Sequence, residues 1–247
     1  MGAAGLSAGL RVALLSDVHA NLAGLEAVAA ALAAEGPFDR IVVAGDHLQG
    51  GPRPREVWQR LKDLGWALLL GNEDEALVAA VPPYGAGRYE RAYRAQHAWS
   101  RAALPAGLLD ELRALPFSWR ESTPAGDLLV VHSSPRSTTD RCGGPHNAAA
   151  EVAAAYGGTG ASAIAFGHYH LGFVRPAPFA LLINVASVGL PIDRKALAAY
   201  TVLSVVDGGW VVEQRRVPYD AAAEEAAARA RGLPPWTPDP PALSAAP

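Results

Sequence analysis

The sequence predicts an α/β protein, and two observations carry that prediction. A short apolar run followed by a metal-type polar residue and then a helical stretch occurs three times in succession. Alternation of this kind implies a parallel sheet with helices on its faces. Half of the 247 residues are apolar, enough for a full core without a split into separate folding units. In open sheets of this class ligands bind beyond the carboxyl ends of the strands, which is where the polar residues collect.

Taken in order, residues 1–10 read as a flexible leader and residues 11–16 as a buried strand. Asn21 can cap a helix over 22–35, whose Leu22, Leu25, Val28, Ala29 and Leu32 share one face. Gly36-Pro37 stops it, and residues 40–44 form a second strand ending in Gly45-Asp46-His47. A Gly and Pro loop over 49–54 leads to a helix at 55–64, then to a third strand at 66–70 ending in Gly71-Asn72-Glu73-Asp74.

Residues 73–113 read as helices broken by Pro82-Pro83 and Pro105, with Tyr84, Tyr89, Tyr93 and Trp99 as aromatic packing; an insertion is expected at about 75–113. Strand character returns at 117–121 and 127–131, the latter ending at His132. A loop over 133–146 precedes a helix at 147–156, and a strand at 162–166 ends in Gly167-His168-Tyr169-His170. Short strands at 180–185, 199–206 and 209–217 follow, with Gly208-Gly209 suited to a hairpin turn, and 221–231 is a last helix. Residues 11–231 are expected to form a single domain, leaving 232–247 as a proline-rich tail without a core pattern.

Composition excludes several classes. A net charge of -3 with mixed signs argues against a broad nucleic-acid-gripping surface. The single Cys142 cannot form an internal disulfide. No apolar run reaches the ~18 residues of a membrane span, and the first residues lack the pattern of a secretion signal. A cytoplasmic protein without a membrane partner is the expectation, with oligomeric state left open.

The polar residues at strand ends are Asp17, His19, Asp46, Asn72, His132, His168 and His170. Imidazole with carboxylate suits divalent Mn, Fe, Co, Ni or Zn, and the lone cysteine rules out a thiolate site. Seven ligands exceed the needs of one tetrahedral ion. Two ions about 3.5–4 Å apart would need a bridging carboxylate, and Asp46, on the central strand end, is the natural bridge. The two acids return two of the four positive charges of such a pair, so the site stays positive and attracts phosphate. Phosphoester hydrolysis by an acidified water shared between the ions is the chemistry these residues indicate.

Asp17-Val18-His19, Gly45-Asp46, Gly71-Asn72, His132 and Gly167-His168-Tyr169-His170, in that order, resemble the five blocks of the calcineurin-like metallophosphoesterases. Asn184-Val185-Ala186-Ser187-Val188-Gly189 is similar to a segment of that family's short prokaryotic phosphodiesterase branch. The resemblance covers about residues 10–217 and implies a four-layer α/β/β/α sandwich. It also implies a ligand set: Asp17, His19 and His170 on a first metal, Asn72, His132 and His168 on a second, and Asp46 between them. A water or hydroxide bridging the metals would then be the nucleophile, with His132 and His168 helping to stabilise phosphoryl charge and Mn the expected ion.

One block departs from the family pattern. Where the family commonly has a histidine acting as a proton donor, this chain has Glu73. A carboxylate there disfavours dianionic monoesters, so a phosphodiesterase is expected, with phosphomonoesterase or nucleotide pyrophosphatase as alternatives. A metal-binding scaffold without turnover, of the kind ascribed to a eukaryotic retromer subunit, is a third. Glu73 is also readable as a plain helix-start acid, and Asp74 as a cap or an orienter of a neighbour. Arg136 and His47 are candidate substrate contacts, weighed against a surface ion pair and a supporting position behind the ligands. The substrate class is a small phosphoester or a nucleotide, the latter if the aromatic cluster lines the site.

Overall fold

The computed structural model describes residues 10–81, 87–193 and 195–237. The leader up to Gly9, Pro82-Pro83, Tyr84 and the tail from residue 238 lie outside the described residues. In chain order the elements are β1 (Arg11–Leu15), α1 (Leu22–Glu35), β2 (Arg40–Val43), α2 (Pro54–Leu64), β3 (Ala67–Leu68), α3 (Asn72–Ala79), α4 (Glu90–Ala103) and α5 (Ala106–Arg113). There follow β4 (Ser118–Glu121), β5 (Leu128–Val131), α6 (Ala149–Tyr156), β6 (Ala163–Phe166), β7 (Gly172–Pro176), β8 (Leu181–Val185), β9 (Leu197–Val206), β10 (Gly209–Pro218) and α7 (Ala221–Ala230).

Val12, Ala13, Leu14 and Leu15 are all buried, so β1 must be covered on both faces, as a near-continuous apolar strand requires. It lies at the centre of a sheet ordered β10-β9-β1-β2-β3, parallel to β2 and antiparallel to β9. A second sheet is ordered β4-β5-β6-β8-β7, with β5, β6 and β8 parallel in the middle and antiparallel strands at both edges. Val12, Leu14, Val42 and Leu203 of the first sheet meet Leu128, Val130, Ala163, Ala165, Ile183 and Val185 of the second in one core.

Helices close the outer faces. Leu25, Val28, Leu32, Val57, Leu61 and Leu112 pack on Ala13, Leu15, Val43 and Tyr200. On the other side Val152, Ala155 and Tyr156 of α6 pack on Leu129, Val131, Ile164, Phe166 and Leu182. The layers are therefore α/β/β/α. Each fully buried Leu or Val contributes about 1.5–3 kcal/mol relative to exposure, which makes this two-sided burial the main determinant of the layering.

The parallel pairing expected of the first three strands holds for β1, β2 and β3. Beyond them the first sheet is mixed, because the chain after β8 returns through a link without a crossover helix and lays the β9–β10 hairpin antiparallel to β1. Two expectations are corrected. The hairpin turns on Asp207-Gly208, one residue earlier than expected: Val206 pairs with Gly209, and φ is +50° at Asp207 and +75° at Gly208. Both central residues of a type I′ turn need positive φ. The strand expected at 66–70 keeps ladder pairing only at Ala67–Leu68, because the backbone at Leu70 turns to donate to Pro116 O at 2.9 Å.

Candidate metal centre

The six parallel strands of the two sheets all feed loops toward one place. Asp17 and His19 follow β1, Asp46 follows β2, Asn72 opens α3 after β3, His132 follows β5, and His168 and His170 follow β6. Five of these residues have left-handed backbones, with φ of +56° at Asp17, +49° at His19, +57° at Asp46, +66° at His168 and +56° at His170. A residue with a Cβ gives up roughly 1–2 kcal/mol in that region. Cross-loop hydrogen bonds hold the conformation: Asp17 N to Gly45 O and His19 N to Asp46 O, both 3.0 Å, and Gly167 N to His132 O at 2.9 Å. Ser187 Oγ and Gly189 N donate to Asp17 O at 2.8 and 2.9 Å, which gives the Asn184–Gly189 segment a bracing task. A Cβ at Gly71 would collide with Asp46, and one at Gly167 with Ser16 and the Asp17 carboxylate, so these approaches need glycine.

The side chains converge in two groups. In the first, Asp17 Oδ1 lies 3.1 Å from His170 Nε2 and 3.7 Å from His19 Nε2, and the two ring nitrogens are 3.1 Å apart. Each ring has its Nδ1 on a main-chain carbonyl, Gln49 O at 2.8 Å for His19 and Leu190 O at 2.7 Å for His170. That places a ring hydrogen on each Nδ1 and leaves the two Nε2 atoms facing one another and the Asp17 carboxylate. Asp17 Oδ1 is buried without a hydrogen bond of acceptable geometry. Two facing ring nitrogens and an orphaned carboxylate oxygen call for a positive charge between them.

In the second group, Asn72 Oδ1 lies 2.9 Å from His132 Nε2 and 2.7 Å from His168 Nδ1. His132 is locked by Nδ1 on Ala44 O at 2.6 Å. Asp46 stands between the groups: its Oδ2 is 3.4 Å from His132 Nε2 and 3.9 Å from His19 Nε2, while its Oδ1 accepts from Glu73 N at 2.8 Å.

The electrostatics agree. Burial would hold the His19 and His132 imidazoles neutral, yet Asp17 and Asp46 outweigh it and raise them to about 9 and about 10. Burial would raise the two carboxyls, but His170 beside Asp17 and His132 beside Asp46 hold both below the usual range. His168 goes the other way, down to about 3, through burial and the neighbouring His132 charge. The buried acids thus draw positive charge into the centre, and the oxygen and imidazole donor set fits a divalent transition metal.

The family model described as calcineurin-like phosphoesterase matches residues 10–172. The chain belongs to the calcineurin-like phosphoesterases. No curated protein matches it. Among solved structures it is similar to a metallophosphoesterase from Sphaerobacter thermophilus, at 28% identity and a TM-score of 0.70 over 91% of this chain and 95% of that one. A hypothetical protein from Pyrococcus horikoshii OT3 shares the fold, with a TM-score of 0.73 at 20% identity over 91% and 94% of the two chains. So does the E. coli phosphoesterase Yfce, with a TM-score of 0.50 at 18% identity over 84% of this chain and all of that one.

As a calcineurin-like phosphoesterase the chain is expected to use divalent metal ions, and two clusters of potential ligands stand ready: Asp17, His19 and His170, and Asp17, Asp46 and His132. Other candidates lie elsewhere. His47 is fully buried, with Nε2 2.9 Å from Leu69 O and its ring beside Trp58. Arg136 is a half-exposed partner of Asp140 at 3.0 Å. A basic group that does lie against the centre is Arg141, whose Nε is 3.4 Å from His168 Nε2. No motif marks Arg141; only its place in the loop that follows His132 could have drawn attention to it.

Two acids support the loops. Asp74 accepts from Asp46 N at 2.9 Å, His47 N at 3.0 Å and Gly71 N at 3.1 Å, binding the β2 and β3 loops together and starting α3. Glu73 is buried, and burial together with the Asp46 charge pushes its carboxyl up to about 7. Its oxygens meet Tyr93 OH at 2.8 and 2.9 Å. The sequence marks Tyr93 only as aromatic packing, and its spacing carries no sign of this polar contact.

Proposed function

We propose that this phosphoesterase is a dinuclear metal-dependent phosphodiesterase acting on a small phosphoester or nucleotide. The carrying observation is the convergence of two imidazole-containing groups on either side of the Asp46 carboxylate. Asp17, His19 and His170 would hold one divalent ion, Asn72, His132 and His168 the other, and Asp46 would serve both; Mn is the ion to try first. Bound there, the ions would neutralise phosphoryl charge and acidify water. The protein's own part is to keep the ligands aimed. His132 and His168 are both buried, at 0% and 4% exposure, so they would act through the ion they would hold rather than by touching the ester. Arg141 offers a cation at the rim beside His168.

The preference for diesters rests on Glu73, a carboxyl group where the family commonly carries histidine. A carboxyl group poised near neutrality adds negative charge to the site once ionised and opposes a phosphomonoester dianion more than a diester monoanion. The test is elemental analysis of the purified protein, then Mn-dependent hydrolysis of matched aryl phosphodiester and phosphomonoester substrates. Expected are two ions per chain and faster diester turnover; a monoester preference in the wild type removes the diester reading. A cytoplasmic setting belongs to the same proposal: the only cysteine is unpaired, and among the described residues no helix is long and apolar enough to cross a membrane.

A further inference from the structure

Asn72 is the one neutral, two-faced ligand in the candidate set. Its amide carries a carbonyl that can face a cation and an NH2 that cannot, and the two ends have nearly the same shape. An orienting partner must therefore decide which end faces His132 and His168. In the structure Asn72 Nδ2 donates to Glu73 Oε1 at 3.1 Å, while Oδ1 faces His132 Nε2 and His168 Nδ1. Reversing the amide would press its carbonyl against the carboxylate.

Glu73 is itself held. Its backbone N is on Asp46 Oδ1, and its carboxylate receives the Tyr93 hydroxyl of α4. Tyr93 is buried, and the ring of Trp236 covers it edge-on at 6.3 Å, at an interplanar angle of 81°. Trp236 is fixed by stacking on Tyr89 at 5.4 Å, and the neighbouring Pro234 O accepts from Gln96 Nε2 at 2.7 Å.

We infer that Tyr93 and Glu73 are positioning residues that orient the Asn72 amide, so that its Oδ1 is available to the second metal. The inference rests on the reading of Asn72 as a ligand of that metal. It assigns the residue at the family's histidine position an orienting task in place of proton donation, and it ties the helical stretch between the two sheets to metal retention. Partners of this kind behind a ligand typically account for 10–100-fold in metal affinity.

The experiment is a calorimetric titration of the metal-stripped full chain with Mn alone, for wild type, Tyr93→Phe, Glu73→Ala and Glu73→Gln, with the melting temperature of each recorded. Expected is a loss of roughly 10–100-fold in the affinity of one of two Mn ions in Glu73→Ala, a smaller loss of the same ion in Tyr93→Phe, and the other ion unchanged. Glu73→Gln should stay near wild type, because its Oε1 still accepts from Asn72 Nδ2. The proposal is overturned if Tyr93→Phe and Glu73→Ala bind both ions as wild type does, or if Glu73→Gln falls as far as Glu73→Ala. Should Glu73→Ala not fold, Tyr93→Phe decides, since it removes only the hydroxyl and keeps the ring under Trp236. A wild type that takes up fewer than two Mn ions instead removes the two-metal reading, and this inference with it.

Discussion

The two groups of candidate ligands are aimed by different means. His19 and His170 are oriented by main-chain carbonyls, Gln49 O and Leu190 O. In the second group only His132 is held that way, by Ala44 O; Asn72 depends on the Glu73 side chain and His168 sits against the Arg141 side chain. A carbonyl is supplied by the fold whatever residue carries it, whereas a side-chain partner disappears with one substitution. The first group is therefore the robust one, and the second is where a related sequence can change metal affinity without changing its fold.

The largest expected effect removes the element common to both groups. Asp46→Asn keeps an acceptor for Glu73 N but loses the charge between the two clusters. Metal content should fall at both positions and diester turnover by more than the 10–100-fold expected of an outer partner; full activity with both ions retained would break the two-metal account.

His170→Ala comes next and separates the groups. It deletes one of three candidate ligands from the main-chain-aimed cluster, so elemental analysis should show occupancy falling from two ions toward one. Loss of both would mean that the clusters are not independent.

A smaller effect lies far from either group. Glu35 accepts from Tyr200 OH at 2.6 Å and pairs with Arg215 at 2.5 Å and Arg11 at 3.3 Å. Burial would raise its carboxyl, but the Tyr200 hydroxyl and Arg215 outweigh it and hold it below the usual 4.5. Glu35→Gln should destabilise the fold by about 1 kcal/mol near neutral pH. Because the folded carboxyl is depressed, that difference is complete above pH 4.5 and disappears as pH falls through the folded value. Denaturant unfolding across pH would show it, and added chelator should leave it unchanged.

Smallest is Ala80→Gly. Ala80 ends α3 with φ of +61°, a strain of about 1–2 kcal/mol that glycine relieves, less about 0.4–1 kcal/mol of added unfolded-chain entropy. A gain of about 0.5 kcal/mol in unfolding free energy is expected, with Mn affinity untouched, because the ligand end of α3 is held by Asp74 and Glu73 rather than by its far end.

The strand ends were legible because burial on both faces forces long apolar runs, and the break to Asp, Asn or His at each end is abrupt. The cap was legible too: Asn21 Oδ1 accepts from Gly24 N at 2.8 Å. The pairing of strands was not, since β9 in the interior of one sheet reads from composition much like β8 in the other, and nothing local states that one runs against its neighbour. Tyr93 and Arg141 were hidden for a different reason. Their contacts join loops and helices distant in sequence to the centre, so neither periodicity nor a local motif registers them.

The pairing of β1 with β9 also separates recognition from independence. The family match ends at residue 172, while the antiparallel neighbour of β1 is Leu197–Val206 and one of the two parallel neighbours of β6 is Leu181–Val185. A fragment cut where the match stops would carry all seven candidate ligand residues and yet leave two central strands as bare edges, open to pairing with other chains. The stretch that identifies this protein is shorter than the smallest piece of it that could be expected to stand alone.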